Sequence, residues 1–253
     1  MIAYRIIVIA AAIGILPAIV ISWLLLKMSR KNKGIGVKLL LTAFFWGVLT
    51  AVPASVIQII NYQQNLNYFS IWAQNVQFFS KNYLVSTLVM PMLFVALVEE
   101  FSKGLGIMLV LRSFAKSPRL KNLKINPGLL AGVLIGLAFG VTENGVYFAN
   151  NFVQVGLLKL LPIVLLRFLL STSAHIIYSG LLGSFLVDAW LADGLLKKIY
   201  YLFLAVIIPV GIHTLFDVLV SGSYGLLVVP LLFAGLGLLI FRAFWIFTEK
   251  DGK

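Results

Sequence analysis

The chain has no cysteine in its 253 residues. That excludes disulfides, thiolate metal ligands, a cysteine nucleophile and S-acylation. Acid and imidazole are scarce as well: eight Asp and Glu, and two His. The His-Glu-x-x-His spacing of many zinc peptidases is absent. No half-to-half repeat is visible, which weighs against the repeat-built secondary transporters. No polar stretch is left over for a soluble domain, and there is no low-complexity segment or linker.

What is present is apolar. The chain is 61% hydrophobic with a mean hydropathy of +1.05, against about 45–50% apolar residues in soluble domains. Its length suits about seven spanning helices of about 20 residues each. The pattern predicts an all-α polytopic membrane bundle with spans near 6–26, 39–60, 83–111, 127–150, 157–187, 199–220 and 224–247. The third and fifth exceed the bilayer core and must tilt, protrude or continue at the interface. The first span carries an apolar run too long for a signal-peptide core and is expected to be retained. We expect a single integral membrane domain over 1–253, with the motif-bearing core at about 83–220.

The net charge is +12. In a soluble protein that balance would suggest nucleic acid. Here the basic residues sit in alternate loops: Lys27, Arg30, Lys31, Lys33 and Lys38, then Arg112, Lys116, Arg119, Lys121 and Lys124, then Lys197 and Lys198. Arg242, Lys250 and Lys253 end the chain, while the other side has only Arg5, Lys81 and Lys159. The positive-inside rule then puts the N-terminus out and the C-terminus in, with the bilayer and not a nucleic acid as partner. The loop 61–82 is aromatic and amide-rich and suits the headgroup region.

Against this background Glu99, Glu100, Glu143, His175, His213 and Asp217 all fall inside apolar runs. Each such group costs at least about 2.5–3.5 kcal/mol in hydrocarbon. That cost is borne when the groups meet one another, a metal or water. Lys103 lies one turn beyond Glu99 and Glu100 and can neutralise one of them. Gly132, Gly136 and Gly140 recur every fourth residue and form a groove for a close helix neighbour. Glu143 and Asn144 follow one turn later. Arg167, Ser171, His175, Ser179 and Gly183 form a slowly winding stripe. His213 and Asp217 share a face, so the acid can hold the imidazole in one tautomer. Each pair, taken alone, also reads as structural packing. Depth joins them: at about 1.5 Å per residue, Glu100, Glu143, His175 and His213 lie about 17–24 Å from the inner loops.

Glu-Glu-x-x-Lys, Phe-Gly-x-x-Glu-Asn, a mid-membrane His and His-x3-Asp, each on its own helix, resemble the PrsW-type membrane proteases. That family belongs to a wider group with the CAAX prenyl endopeptidases and bacteriocin-immunity membrane proteins. The resemblance covers roughly 97–217. It implies a multi-pass protease of a prokaryotic cell membrane that cuts membrane-anchored proteins, an anti-sigma factor in the best-known case. It implies Glu99, Glu100, Glu143, His175 and His213 as functional positions.

Two chemistries use these residues. In one, His175, His213 and Glu143 bind a divalent metal such as zinc, with Glu99 or Glu100 as general base. In the other, a metal-free Glu and one His activate water while the second His and Asn144 stabilise the oxyanion. A serine nucleophile from Ser171, Ser173 or Ser179 ranks below both. The other classes to weigh are a proton- or cation-coupled transporter and a non-catalytic membrane chaperone or immunity protein of the same fold.

Sidedness is directly testable because no native thiol competes. With Asn32→Cys or Asn122→Cys, the new thiol should be shielded from an impermeant reagent in intact cells, and with Gln64→Cys it should label. The opposite pattern would invert the topology.

Overall fold

The computed structural model describes residues 37–63, 89–114, 126–155, 157–221 and 224–251. The described residues are helical, with no strand among them. The expected first span at 6–26, the basic segments 27–33 and 116–124, and most of the aromatic loop 61–82 lie outside them. Helix α1 runs Val37–Gln63, α2 Met90–Phe114 and α3 Pro127–Val155. Helix α4, Leu157–Arg167, continues through a π-turn, Phe168–Thr172, into α5, Ser173–Leu191. Helix α6 is Leu195–Ser221. A short 3-10 turn at Gly225–Leu227 leads into α7, Val228–Asp251.

Five of these segments are long and apolar enough to cross a membrane. Helix α2 is not among them because Glu99, Glu100, Lys103 and Arg112 interrupt its hydropathy. The large side chains on the outside, such as Phe45, Phe101, Leu169, Phe203 and Phe233, are apolar. A soluble protein seldom exposes so much of this surface, and a lipid environment accounts for it.

Local chemistry sets the helix ends. Asn126 caps α3, its Oδ1 accepting from the backbone of Gly128 at 2.7 Å and of Leu129 at 3.2 Å. Pro127 follows at the first helical position, where its missing N–H costs nothing. The fifth span reaches Leu191 instead of the expected 187, and α6 begins at Leu195, ahead of the expected 199. A three-residue turn replaces a longer loop. Gly194, at φ +88°, supplies a backbone conformation that other residues resist. Asp188, just past the expected end, pairs with Arg242 of α7, which also reaches Ser184 and lies over the Phe185 ring.

Helix α3 is central: 72% of the positions in its apolar stretch are buried, against 17% for the segment entering α7. It packs along α5, and α5 in turn packs against α6, α2 and α7. A Cβ at Gly132 would fall on the carbonyl of Ser179, and one at Gly136 on the carbonyl of His175. Gly128 and Gly183 face each other in the same way. The α3–α5 seam is thus backbone against backbone, the close approach expected of the glycine stripe.

This seam makes a prediction. Gly132→Ala should cost about 1–3 kcal/mol by overpacking. Gly145→Ala, on the same helix with nothing near its would-be Cβ, should be neutral or stabilise by up to about 1 kcal/mol. Thermal unfolding in detergent compares them, and equal shifts would remove the seam as the tight contact.

Candidate active site

Four helices bring their polar groups to one place. Helix α2 gives Glu99, Glu100 and Lys103; α3 gives Glu143 and Asn144; α5 gives His175; and α6 gives His213 and Asp217. All but Glu143 and Asp217 are buried.

Each imidazole is held at one nitrogen by a carboxylate. His213 Nδ1 lies 2.9 Å from Glu100 Oε1. An ionised carboxylate only accepts, so Nδ1 donates, and in the neutral ring Nε2 then carries the lone pair. That Nε2 faces Asp217 Oδ2 at 3.5 Å and Glu99 Oε2 at 3.8 Å. Glu100, on another helix, makes the short contact that fixes the ring, while Asp217 stands at the other nitrogen.

His175 is arranged alike. Its Nδ1 is 2.9 Å from the Lys103 ammonium, which has only hydrogens to offer. Nδ1 therefore accepts, and the ring proton sits on Nε2, donated to Glu143 Oε2 at 2.7 Å. Glu99 Oε2 lies 4.0 Å from this Nδ1. The two inner nitrogens, His175 Nδ1 and His213 Nε2, converge on one Glu99 oxygen.

Glu99, His175 and His213 are near enough to share one metal ion, each offering a ligand atom within 4.8 Å of the others. Their donor set of two imidazoles and a carboxylate is one that zinc accepts. Glu143, which the sequence suggested as the carboxylate of that set, approaches His175 at its other nitrogen. A carboxylate there orients a ligating ring and raises its basicity.

Lys103 Nζ also meets Glu100 Oε1 at 2.7 Å and Glu99 Oε2 at 3.4 Å, and lies 4.2 Å from the centre of the Phe139 ring. Arg167 donates from Nη2 to Glu143 Oε1 at 3.0 Å and from Nε to Asn144 Oδ1 at 2.9 Å. Asn144 Nδ2 donates to Thr172 Oγ1 at 2.9 Å. Tyr178 stacks on His213 and meets His175 edge-on. A cavity of about 190 Å³ runs past Glu99, Glu143, Arg167, His175, Tyr178, His213 and Asp217.

The pairing of Arg167 with Glu143 and the stacking by Tyr178 were not legible as site features. In the sequence Arg167 stands only as part of the helical stripe. Eight residues of α-helix would carry it about 80° round from His175. The π-turn between them takes up an extra residue and offsets that drift, so both reach the same carboxylate. An arginine facing inward from an apolar run was the available signal. Tyr178 gave none, since an aromatic ring in an apolar helix reads equally as core.

A family model described as "PrsW family intramembrane metalloprotease" matches residues 36–247, most of the chain. Protease PrsW of Halalkalibacterium halodurans is 28% identical over 152 residues, which cover 59% of this chain and 62% of that relative. The match therefore spans less than two thirds of the relative's length. No solved structure matches.

The supporting network predicts a ranking. Asn144 is buried with both ends of its amide bonded, so Asn144→Ala should cost about 1–3 kcal/mol. Arg167 and Glu143 are each about a quarter exposed at the side chain, and Arg167→Gln should cost about 1 kcal/mol or less. Unfolding in detergent should show this order; the reverse would make Arg167 the anchor.

Proposed function

The chain belongs to the PrsW family of intramembrane metalloproteases, and from that premise we propose that it is a membrane-embedded endopeptidase acting on membrane-anchored proteins. The observation that carries the reading is the convergence of His175 Nδ1 and His213 Nε2 on Glu99 Oε2, with each ring held from behind by another carboxylate. In our reading Glu99, His175 and His213 hold a divalent metal, and zinc suits the set. When bound, such an ion polarises a carbonyl and activates water near neutral pH.

The chain's own groups do the rest. Glu143, about a quarter exposed on the cavity, takes the proton of the attacking water and returns it to the leaving amine. Glu100 and Glu143 keep the two imidazoles in the tautomers that turn their lone pairs inward. Arg167 and Asn144 hold Glu143 at the cavity wall, and the guanidinium lies ready for developing negative charge. Asp217 tunes His213 from the cavity side. The substrate is a protein segment that enters the bilayer, an anti-sigma factor being the case suggested by the family resemblance.

The same reading takes the whole of 1–253 as one membrane domain with seven spans, N-terminus out and C-terminus in, in a prokaryotic cell membrane. The loop charges and the five described segments long and apolar enough to cross a membrane support it.

One observation favours a metal-free variant. Lys103 already supplies a cation to His175 Nδ1, and Glu143 with His175 then forms the acid–base pair. Metal analysis of purified protein decides between them: bound divalent metal, lost in His213→Ala, supports the first.

For either chemistry, alanine at Glu99, Glu100, Glu143, His175 or His213 should abolish cleavage of a membrane-anchored reporter without preventing insertion. Glu143→Ala with His213→Ala should be no worse than either alone, since members of one catalytic unit are not additive. Asp217→Ala should leave partial activity. If His175→Ala and His213→Ala both cleave normally, the reading fails.

A further inference from the structure

Lys103 is fully buried, with no exposed surface. Its three hydrogens face three acceptors: Glu100 Oε1 at 2.7 Å, His175 Nδ1 at 2.9 Å and Glu99 Oε2 at 3.4 Å, beside the Phe139 ring. Two of these, His175 Nδ1 and Glu99 Oε2, belong to residues that are placed to share a metal ion. An imidazole nitrogen has a single lone pair. His175 Nδ1 can accept from Lys103 or bind an ion, but not both at once.

The third acceptor offers a place to withdraw. Glu100 contributes no atom to the group that could share an ion. Its second oxygen, Oε2, is buried with no hydrogen-bond partner. An ammonium that left His175 would find an unused carboxylate oxygen on a residue it already contacts.

We propose that Lys103 is a built-in rival of the divalent ion: its ammonium holds His175 and Glu99 together until an ion enters, then withdraws onto Glu100. This rests on the metal reading above. The lysine keeps the carboxylates neutralised inside the bilayer, where bare charge is costly, and it sets a threshold that a divalent ion must exceed. It acts on the ligands and not on substrate, so it is a positioning residue.

The test uses the full chain in detergent, stripped with a chelator and titrated with zinc against a chromophoric competitor. Lys103→Met should bind zinc about tenfold more tightly or better, the scale of one lost competing contact. Arg167→Met removes a positive charge from Glu143 without touching His175 Nδ1, and should change affinity much less. Without zinc, Lys103→Met should melt lower than wild type, and zinc should close the gap.

The chain has only two histidines, so nitrogen-labelled histidine gives a spectrum of two rings. Lys103→Met should shift His175 Nδ1 and leave His213 near its original place. Should that variant not fold, the wild type still answers: zinc should move both rings together with the labelled Lys103 ammonium. Zinc affinity equal to or weaker than wild type in Lys103→Met overturns the proposal. So does a Lys103 signal that zinc leaves unchanged. Zinc binding by none of these proteins overturns the metal reading itself.

Discussion

The contact on which the rest depends is the glycine seam between α3 and α5. Backbone touches backbone at Gly132 and Gly136. That proximity lets the Glu143 carboxylate reach His175 at 2.7 Å while its other oxygen meets Arg167 at 3.0 Å. Side chains of ordinary size along that stripe would push the helices apart, and the imidazole would lose the partner that fixes its proton. Gly140 continues the logic: its would-be Cβ lies 2.9 Å from the His175 ring. Lipid gives helices no hydrophobic reason to associate, so such packing carries much of the assembly.

Charge arrangement is the second constraint. Glu99, Glu100, Glu143 and Asp217 surround two imidazoles, with Lys103 and Arg167 as the fixed cations. The cations are divided between the two ends of the cluster. Lys103 stands between the α2 carboxylates and His175, where it is wholly buried; Arg167 stands at the cavity wall, where it is partly exposed. Removing a partner from a buried group strands the other in a medium that cannot solvate it. The wholly buried members, Lys103 with Glu99, Glu100 and His175, therefore depend on one another for their stability.

The helices and their shared polar level were legible in the sequence because they depend on composition and spacing. Long apolar runs marked the five described crossing segments, the every-fourth-residue glycines marked the seam, and equal depths marked the meeting of Glu100, Glu143, His175 and His213. What could not be read was which atom meets which. Glu99 and Glu100 are neighbours in sequence but point about 100° apart on a helix, and only the packed arrangement distinguishes the one facing both imidazoles from the one behind His213. The π-turn was also hidden, because Phe168–Thr172 has no composition that marks it. The turn at Gly194 was missed for a related reason. Lys197 and Lys198 read as a loop, yet long basic side chains are comfortable in the first turns of a helix that starts at the membrane surface.

That short turn at 192–194 gives the two imidazoles a common ruler. His175 and His213 stand on adjoining arms of one helical hairpin, nearly the same distance from its bend. Chain length thus sets their relative height once the two arms pack together. One residue inserted between the bend and either histidine would move that ring by about 1.5 Å along the arm and turn it by about 100°, enough to put the rings out of step. The bend sits far from the chemistry and touches none of it, yet it serves as the gauge block against which the centre is cut.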